Sequence, residues 1–97
     1  MRRKSLRWTR RALRRLDEIA AYIEKDEPLA AARVVSRIVS AAETLTEQPA
    51  MGRVGRIENT RELVLPDVSY ILPYRVTSDD IQILTVLHTS QNWPRTL

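Results

Sequence analysis

Four arginines and one histidine, Arg53, Arg56, Arg61, Arg75 and His88, are the residues of this chain best suited to chemistry. Arginine carries a forked, permanently charged set of donors that matches the oxygens of a phosphate. His88 is the only histidine, and an imidazole suits the activation of a 2'-hydroxyl or the protonation of a leaving oxygen as general base or acid. The competing role for a single histidine at a strand end is structural hydrogen bonding. Trp93 has a similar pair of roles, as a plug on the core edge or as a platform for a stacked base. No Ser/His/Asp set, pair of catalytic carboxylates or metal cluster can be assembled, and Asp67, Asp79 and Asp80 read as turn residues. With no cysteine and one histidine, neither a thiolate metal site nor a disulfide is available, and no cofactor is expected.

These residues are positioned by residues 69–88, which read as a β-hairpin. Its flanks are rich in β-branched and aromatic residues, and the polar connection Thr77, Ser78, Asp79, Asp80 suits a type I turn. In the second flank Ile81, Ile83, Leu84, Val86 and Leu87 put apolar groups on both faces, so this strand belongs inside the sheet. Pro73 falls within the first flank, where it cannot donate to a ladder; a bulge, a bend or an unpaired segment is required. Arg61–Leu65 is the preceding strand, completing a meander. Alternation places Arg61 with Leu63 and Leu65, and Arg75 with Ile71 and Thr77; whether the two faces coincide is left open. Residues 50–60 read as a loop holding both glycines, Gly52 and Gly55, as turn positions that need a permissive backbone. In that loop Arg53 and Arg56 are either merely exposed or presented beside the sheet to phosphates. The spacing is not that of a nucleotide-binding loop.

Upstream, residues 4–8 are a short strand with Leu6 and Trp8 on one face. Thr9 caps a first helix with Leu13, Leu16, Ile19, Ala20 and Ile23 on its apolar stripe, ending near Glu24. Arg14 is expected to pair with Glu18, while Arg11 and Arg15 face each other as like charges. Pro28 opens a second helix, whose arc of Ala31, Val34, Val35, Ile38, Ala42 and Leu45 packs as an antiparallel hairpin with the first. The spacing therefore predicts one α+β domain over residues 1–97, a helical hairpin on a small, mainly antiparallel sheet in the order β-α-α-β-β-β.

The net charge of +4 is unevenly placed. Arg2, Arg3, Lys4, Arg7, Arg10, Arg11, Arg14 and Arg15 are half of the sixteen basic residues, and no acid precedes Asp17. Such an end is either a solvated face or a surface for acidic protein or nucleic acid. Apolar runs are too short to span a membrane, so a soluble cytoplasmic protein with no membrane partner is expected.

The motifs 16-LDEIAAYI-23, Pro28 with Ala30 to Ala32, 49-PAMGR-53, 60-TRELV-64, 70-YILPYRV-76, 83-ILTVLH-88 and Trp93-Pro94 together resemble the RelE/ParE superfamily of bacterial toxins. The resemblance implies a toxin of a type II toxin-antitoxin module, acting in a hetero-oligomer with an acidic antitoxin encoded in an adjacent frame. For this chain it implies antitoxin contacts at Arg10, Arg11, Arg14 and Arg15. RelE-like members cut messenger RNA on the ribosome, and that pattern implies catalytic roles for Arg61, Arg75 and His88. ParE-like members inhibit DNA gyrase without cutting nucleic acid, and target contacts then fall to Arg53, Arg56, Arg61 and Trp93. Gln91 stands where RelE-like members often carry a basic residue, and Lys4 and Lys25 are the only lysines. The resemblance thus leans to the ParE-like branch, with RelE-like cleavage as the alternative and a non-toxic module acting in autoregulation as a further one.

Overall fold

The computed structural model describes residues 3–94; Arg2 of the basic end and Arg95 of the tail lie outside the described residues. Thr9 joins helix to sheet. Its Oγ1 accepts from Ala12 N at 3.1 Å, capping α1 (Arg10–Glu24), and donates towards the carbonyls of Ile83 and Leu84 at 2.9 and 3.0 Å. Ala12, Leu16 and Ile19 are the buried stripe of this helix. Leu13, expected on that stripe, is 49% exposed, because the buried face follows the steps from Ala12 to Leu16 to Ile19 and turns one residue away from it. Glu18 pairs with Arg15 at 3.9 Å rather than with Arg14.

Pro28 occupies the first turn of α2 (Pro28–Thr44), which packs against α1 through small residues, with Ala31, Ile38, Ala41 and Ala42 buried. The strands are β1 (Ser5–Trp8), β2 (Arg53–Val54), β3 (Arg61–Leu65), β4 (Tyr70–Val76), β5 (Asp80–Ile83) and β6 (Leu87–His88). They form one sheet in the order β1-β5-β4-β3-β2, with β6 also pairing to β4. β1 runs parallel to β5 and all other pairs are antiparallel. The α+β class and the helical hairpin therefore stand, and the strand count is corrected twice. A two-residue strand, β2, lies within the expected loop, and the expected last strand is divided into β5 and β6.

Pro73 accounts for that division. Tyr74 lies opposite Ile83, and Ile71 lies opposite Leu87. Between those pairs β4 has Leu72 and Pro73, while the facing strand has Leu84, Thr85 and Val86, one residue more. This is a bulge. Pro73 has no N–H to give, and its carbonyl accepts from Leu84 N at 2.9 Å where the ladder breaks. The core lies between the helices and one face of the sheet: Leu63, Leu65, Leu72, Tyr74, Ile81 and Ile83 meet Leu16, Ile19, Ile38 and Leu45. Among the described residues no helix is long and apolar enough to cross a membrane.

Candidate functional site

The candidate cations fall into two groups on the sheet, and a third position holds the histidine. Glu62 organises the first group. It is the one charged residue in the centre of an apolar strand, and alternation turns it away from Leu63 and Leu65 to the face opposite the helices. Only 2% of its side chain is exposed. Arg53 places Nε and Nη2 on Glu62 Oε1 at 2.9 and 2.8 Å. Arg56 donates its backbone N–H to Oε2 at 2.8 Å and brings Nε to 3.7 Å. The Arg56 guanidinium lies 3.8 Å from the centre of the Trp93 ring, a cation–π contact that holds the carboxyl-terminal arm down. Two cations thus share one buried carboxylate. The charge they offer a ligand is halved, and one face of Trp93 is already covered by Arg56.

The glycines of this loop serve close approach rather than unusual backbone angles, since neither has a positive φ. A Cβ on Gly52 would stand 2.7 Å from Tyr74 Cε1 and 2.8 Å from Glu62 O, and one on Gly55 would run into Thr60. The left-handed positions are instead Asn59 and Ser69, at φ 62° and 64°, where asparagine and a turn serine carry the strain. Tyr74, fully buried, explains the tightness at Gly52: its hydroxyl accepts from Gly52 N at 2.9 Å and donates to Pro49 O at 2.7 Å. Burial pushes its phenol pKa up, partly offset by the Gly52 hydrogen bond.

Arg61 and Arg75 line one groove but do not share a face: Arg61 lies with Tyr74 on the helix side of the sheet, and Arg75 lies with Gln82 on the other. Arg61 donates Nη1 to Gly52 O at 2.7 Å. It lies opposite Tyr74 in the β3–β4 register, and it lines an open groove of about 540 Å³ together with Arg75, Val54, Asn59, Thr60 and Val76.

His88 is elsewhere. It lies opposite Tyr70, four residues back along β4 from Tyr74, or about 13 Å of strand. Its ring meets the Tyr70 ring edge-on, with centroids 5.3 Å apart and planes at 89°. It lines a separate cleft against α1 with Arg15, Glu18, Ile19, Tyr22 and Ser90. Ser90 N points at His88 Nδ1 from 3.2 Å, so Nδ1 accepts; Ser90 Oγ lies 2.7 Å from the same atom. The bulge sets this placement. An unbroken strand would put His88 on the face of Gln82, the partner of Arg75. One inserted residue turns it to the helix side instead.

On α1, Arg10, Arg11 and Arg14 are exposed and Arg15 is half-buried; Arg15 Nε donates to Val86 O at 3.0 Å and Nη2 to Gln91 Oε1 at 2.9 Å. Glu62, Tyr74 and Gln91 were not among the expected site residues. A lone acid inside an apolar strand is the signal that marks Glu62; nothing comparable marks the other two.

A two-helix hairpin on a mixed, mostly antiparallel sheet is the α+β arrangement that this chain shares with toxins of the RelE/ParE superfamily. Residues 6–93 match the family described as the ParE toxin of the type II toxin-antitoxin system parDE, and the chain belongs to that family. It is 65% identical over its full 97 residues to a putative toxin, Y4kP, of Sinorhizobium fredii, all of which is covered. It is 34% identical to Toxin RelE2 of Caulobacter vibrioides over 87% of this chain and 93% of that one. Among solved structures it resembles a chain of the chromosomal ParDE toxin-antitoxin system from P. aeruginosa, with a TM-score of 0.82 and 30% identity over 90% of this chain and 97% of that one. It also resembles a chain of the RelBE2 toxin-antitoxin complex from Mycobacterium tuberculosis, with a TM-score of 0.68 and 25% identity over 90% and 99%. The protein is a toxin of a type II toxin-antitoxin system.

Proposed function

We propose that this toxin inhibits DNA gyrase without cutting nucleic acid, and that an acidic antitoxin neutralises it by direct binding. The observation that carries the reading is the separation of His88 from Arg61 and Arg75. A nuclease needs its acid or base within hydrogen-bonding reach of the phosphate that its cations hold. Here His88 lies about 13 Å of strand from the Arg61–Tyr74 pair along the helix-side face, and the bulge turns it away from the face of Arg75. Arg53 and Arg56 are largely spent on Glu62, which leaves a binding surface rather than a phosphate clamp. For the antitoxin, the exposed Arg10, Arg11 and Arg14 offer a row of cations next to Arg15 to an acidic helix or strand.

Messenger RNA cleavage in the RelE manner is the second reading, favoured by the shared groove of Arg61 and Arg75. Adding the purified chain to a gyrase supercoiling reaction and to a translating extract separates the two. Supercoiling is expected to fall while translation continues. Translation arrest with cut messenger RNA, and intact supercoiling, would overturn the gyrase reading; no effect of the folded protein on either would leave the non-toxic binding module.

A further inference from the structure

We propose that the pocket between α1 and the carboxyl-terminal arm binds a nucleoside monophosphate, its phosphate held by Arg11, Arg14, Arg15 and the Thr85 hydroxyl. The inference goes beyond the gyrase reading and does not depend on which cellular target the toxin has.

Arg11, Arg14, Arg15 and Glu18 recur at the spacing of one helix face, a charged wall about 10 Å long. Trp93 lines the same cavity from the arm and Thr85 from the strand region beneath, around a volume of about 330 Å³. That is the small end of ligand pockets, which run from roughly 300 to 1,000 Å³. Thr85 points to a ligand. It is only 2% exposed, yet its hydroxyl has no hydrogen-bond partner among the described residues. Among those residues no side-chain polar atom is both sealed off and unpartnered, so the hydroxyl keeps contact with open space, and the space that Thr85 lines is this pocket. A buried hydroxyl so placed takes its partner from whatever enters.

The charge selects the ligand class. Arg15 is held in place by Val86 O and Gln91 Oε1, and its Nη1 lies 3.9 Å from Glu18. Arg14 makes no hydrogen bond or ion pair among the described residues. Three guanidinium groups stand against one carboxylate in the lining, a surplus of two positive charges. A phosphomonoester matches that surplus with about −1.5 to −2 charges at neutral pH and three acceptor oxygens, whereas a phosphodiester or a carboxylate side chain brings one charge. Trp93 marks the place of the base. Arg56 covers one face of its ring, and the ring also lines the pocket, offering a surface for stacking. Glu18, one turn beyond Arg14, supplies an acceptor for ribose hydroxyls.

The test is an NMR titration of the full chain, following the Trp Nε1–H and Arg Nε–H signals. The probes are adenosine monophosphate, inorganic phosphate, adenosine, a blocked glutamate pentapeptide and a short poly-thymidine oligonucleotide. Adenosine monophosphate is expected to shift Trp93 and Arg15 saturably, with phosphate alone and adenosine alone each binding at least tenfold more weakly. Thr85→Val and Arg14→Gln should each weaken binding about tenfold, the equivalent of one charge-assisted contact. Arg14→Gln alters an exposed side chain and should melt with the parent, so it decides the matter even if Thr85→Val fails to fold. Four results would overturn the proposal: no saturable shift at Trp93 and Arg15, phosphate or adenosine binding as tightly as the monophosphate, unchanged affinity in a folded variant, or tighter binding of the peptide or the oligonucleotide at the same signals. Gyrase supercoiling is measured separately, so this proposal and the gyrase reading fail independently.

Discussion

Glu62 shows how one residue can decide what its neighbours are free to do. Its carboxylate accepts from Arg53 twice and from the Arg56 backbone, so it orders the loop between β2 and β3 and fixes the cation beneath Trp93. Glu62→Gln keeps the shape but loses the charge, leaving two arginines without a counterion. Because both arginines are more than half exposed, solvent screening limits the cost to about 1–2 kcal/mol. Urea denaturation measures it, and a changed Trp93 fluorescence should accompany it as the arm loosens. Equal stability of the variant would show that Glu62 does not anchor the loop. Alternation marks Glu62 as facing away from Leu63 and Leu65; that this face is covered at Glu62 depends on a loop nine and six residues upstream, whose path follows from tertiary packing alone.

At the scale of elements, Gly52 and Pro73 place the two arginine groups and the histidine. The proline is legible as a ladder breaker from its type alone, and the structure answers it with the extra residue in the facing strand. That residue reverses the faces of Leu87 and His88, which is why a histidine at the end of an apparently continuous strand does not join Arg75. Gly52 looks in the sequence like a turn glycine, yet it is needed because Tyr74 and the Glu62 carbonyl leave no room for a Cβ. Gly52→Ala is expected to cost about 1–3 kcal/mol by overpacking against fixed backbone. It should also displace Arg61, whose Nη1 rests on the Gly52 carbonyl. A thermal melt together with the Arg61 Nε–H shift checks both, and an unshifted Arg61 in a stable variant would contradict the account.

For the whole molecule, stability should fall at both ends of the pH range for opposite reasons. Hydrogen bonding from Arg37 lowers the pKa of Asp67, tying α2 to the β3–β4 turn at 2.8 Å. A carboxyl with a lowered folded pKa contributes stability above its unfolded value, and this is lost as pH falls through the folded one. Burial raises the pKa of Tyr74 and Tyr70. Their contribution is complete below the unfolded tyrosine value of about 10 and is lost as pH rises through the folded values. Denaturation midpoints across pH should show a shallow acid limb that Asp67→Asn flattens and a steeper alkaline limb that Tyr74→Phe reduces. Unchanged limbs in both variants would assign the pH dependence to other groups.

The sequence by itself determined the class of fold, because its evidence is local and periodic. Thr9 as a cap, Pro28 at a first turn, and apolar residues at helical or alternating spacing are read over a few neighbours. It also determined that the chain is basic at one end and that its arginines gather near the meander. Only the tertiary structure decided which arginines are free. Glu62 meets Arg53 and Arg56 across a loop, Tyr74 supports Arg61 through Gly52, and the bulge beside Pro73 sends His88 to the opposite face. Each of these depends on register and on contacts between residues distant in the chain. A shift of one residue in a strand reverses every side chain that follows, and no local pattern records it.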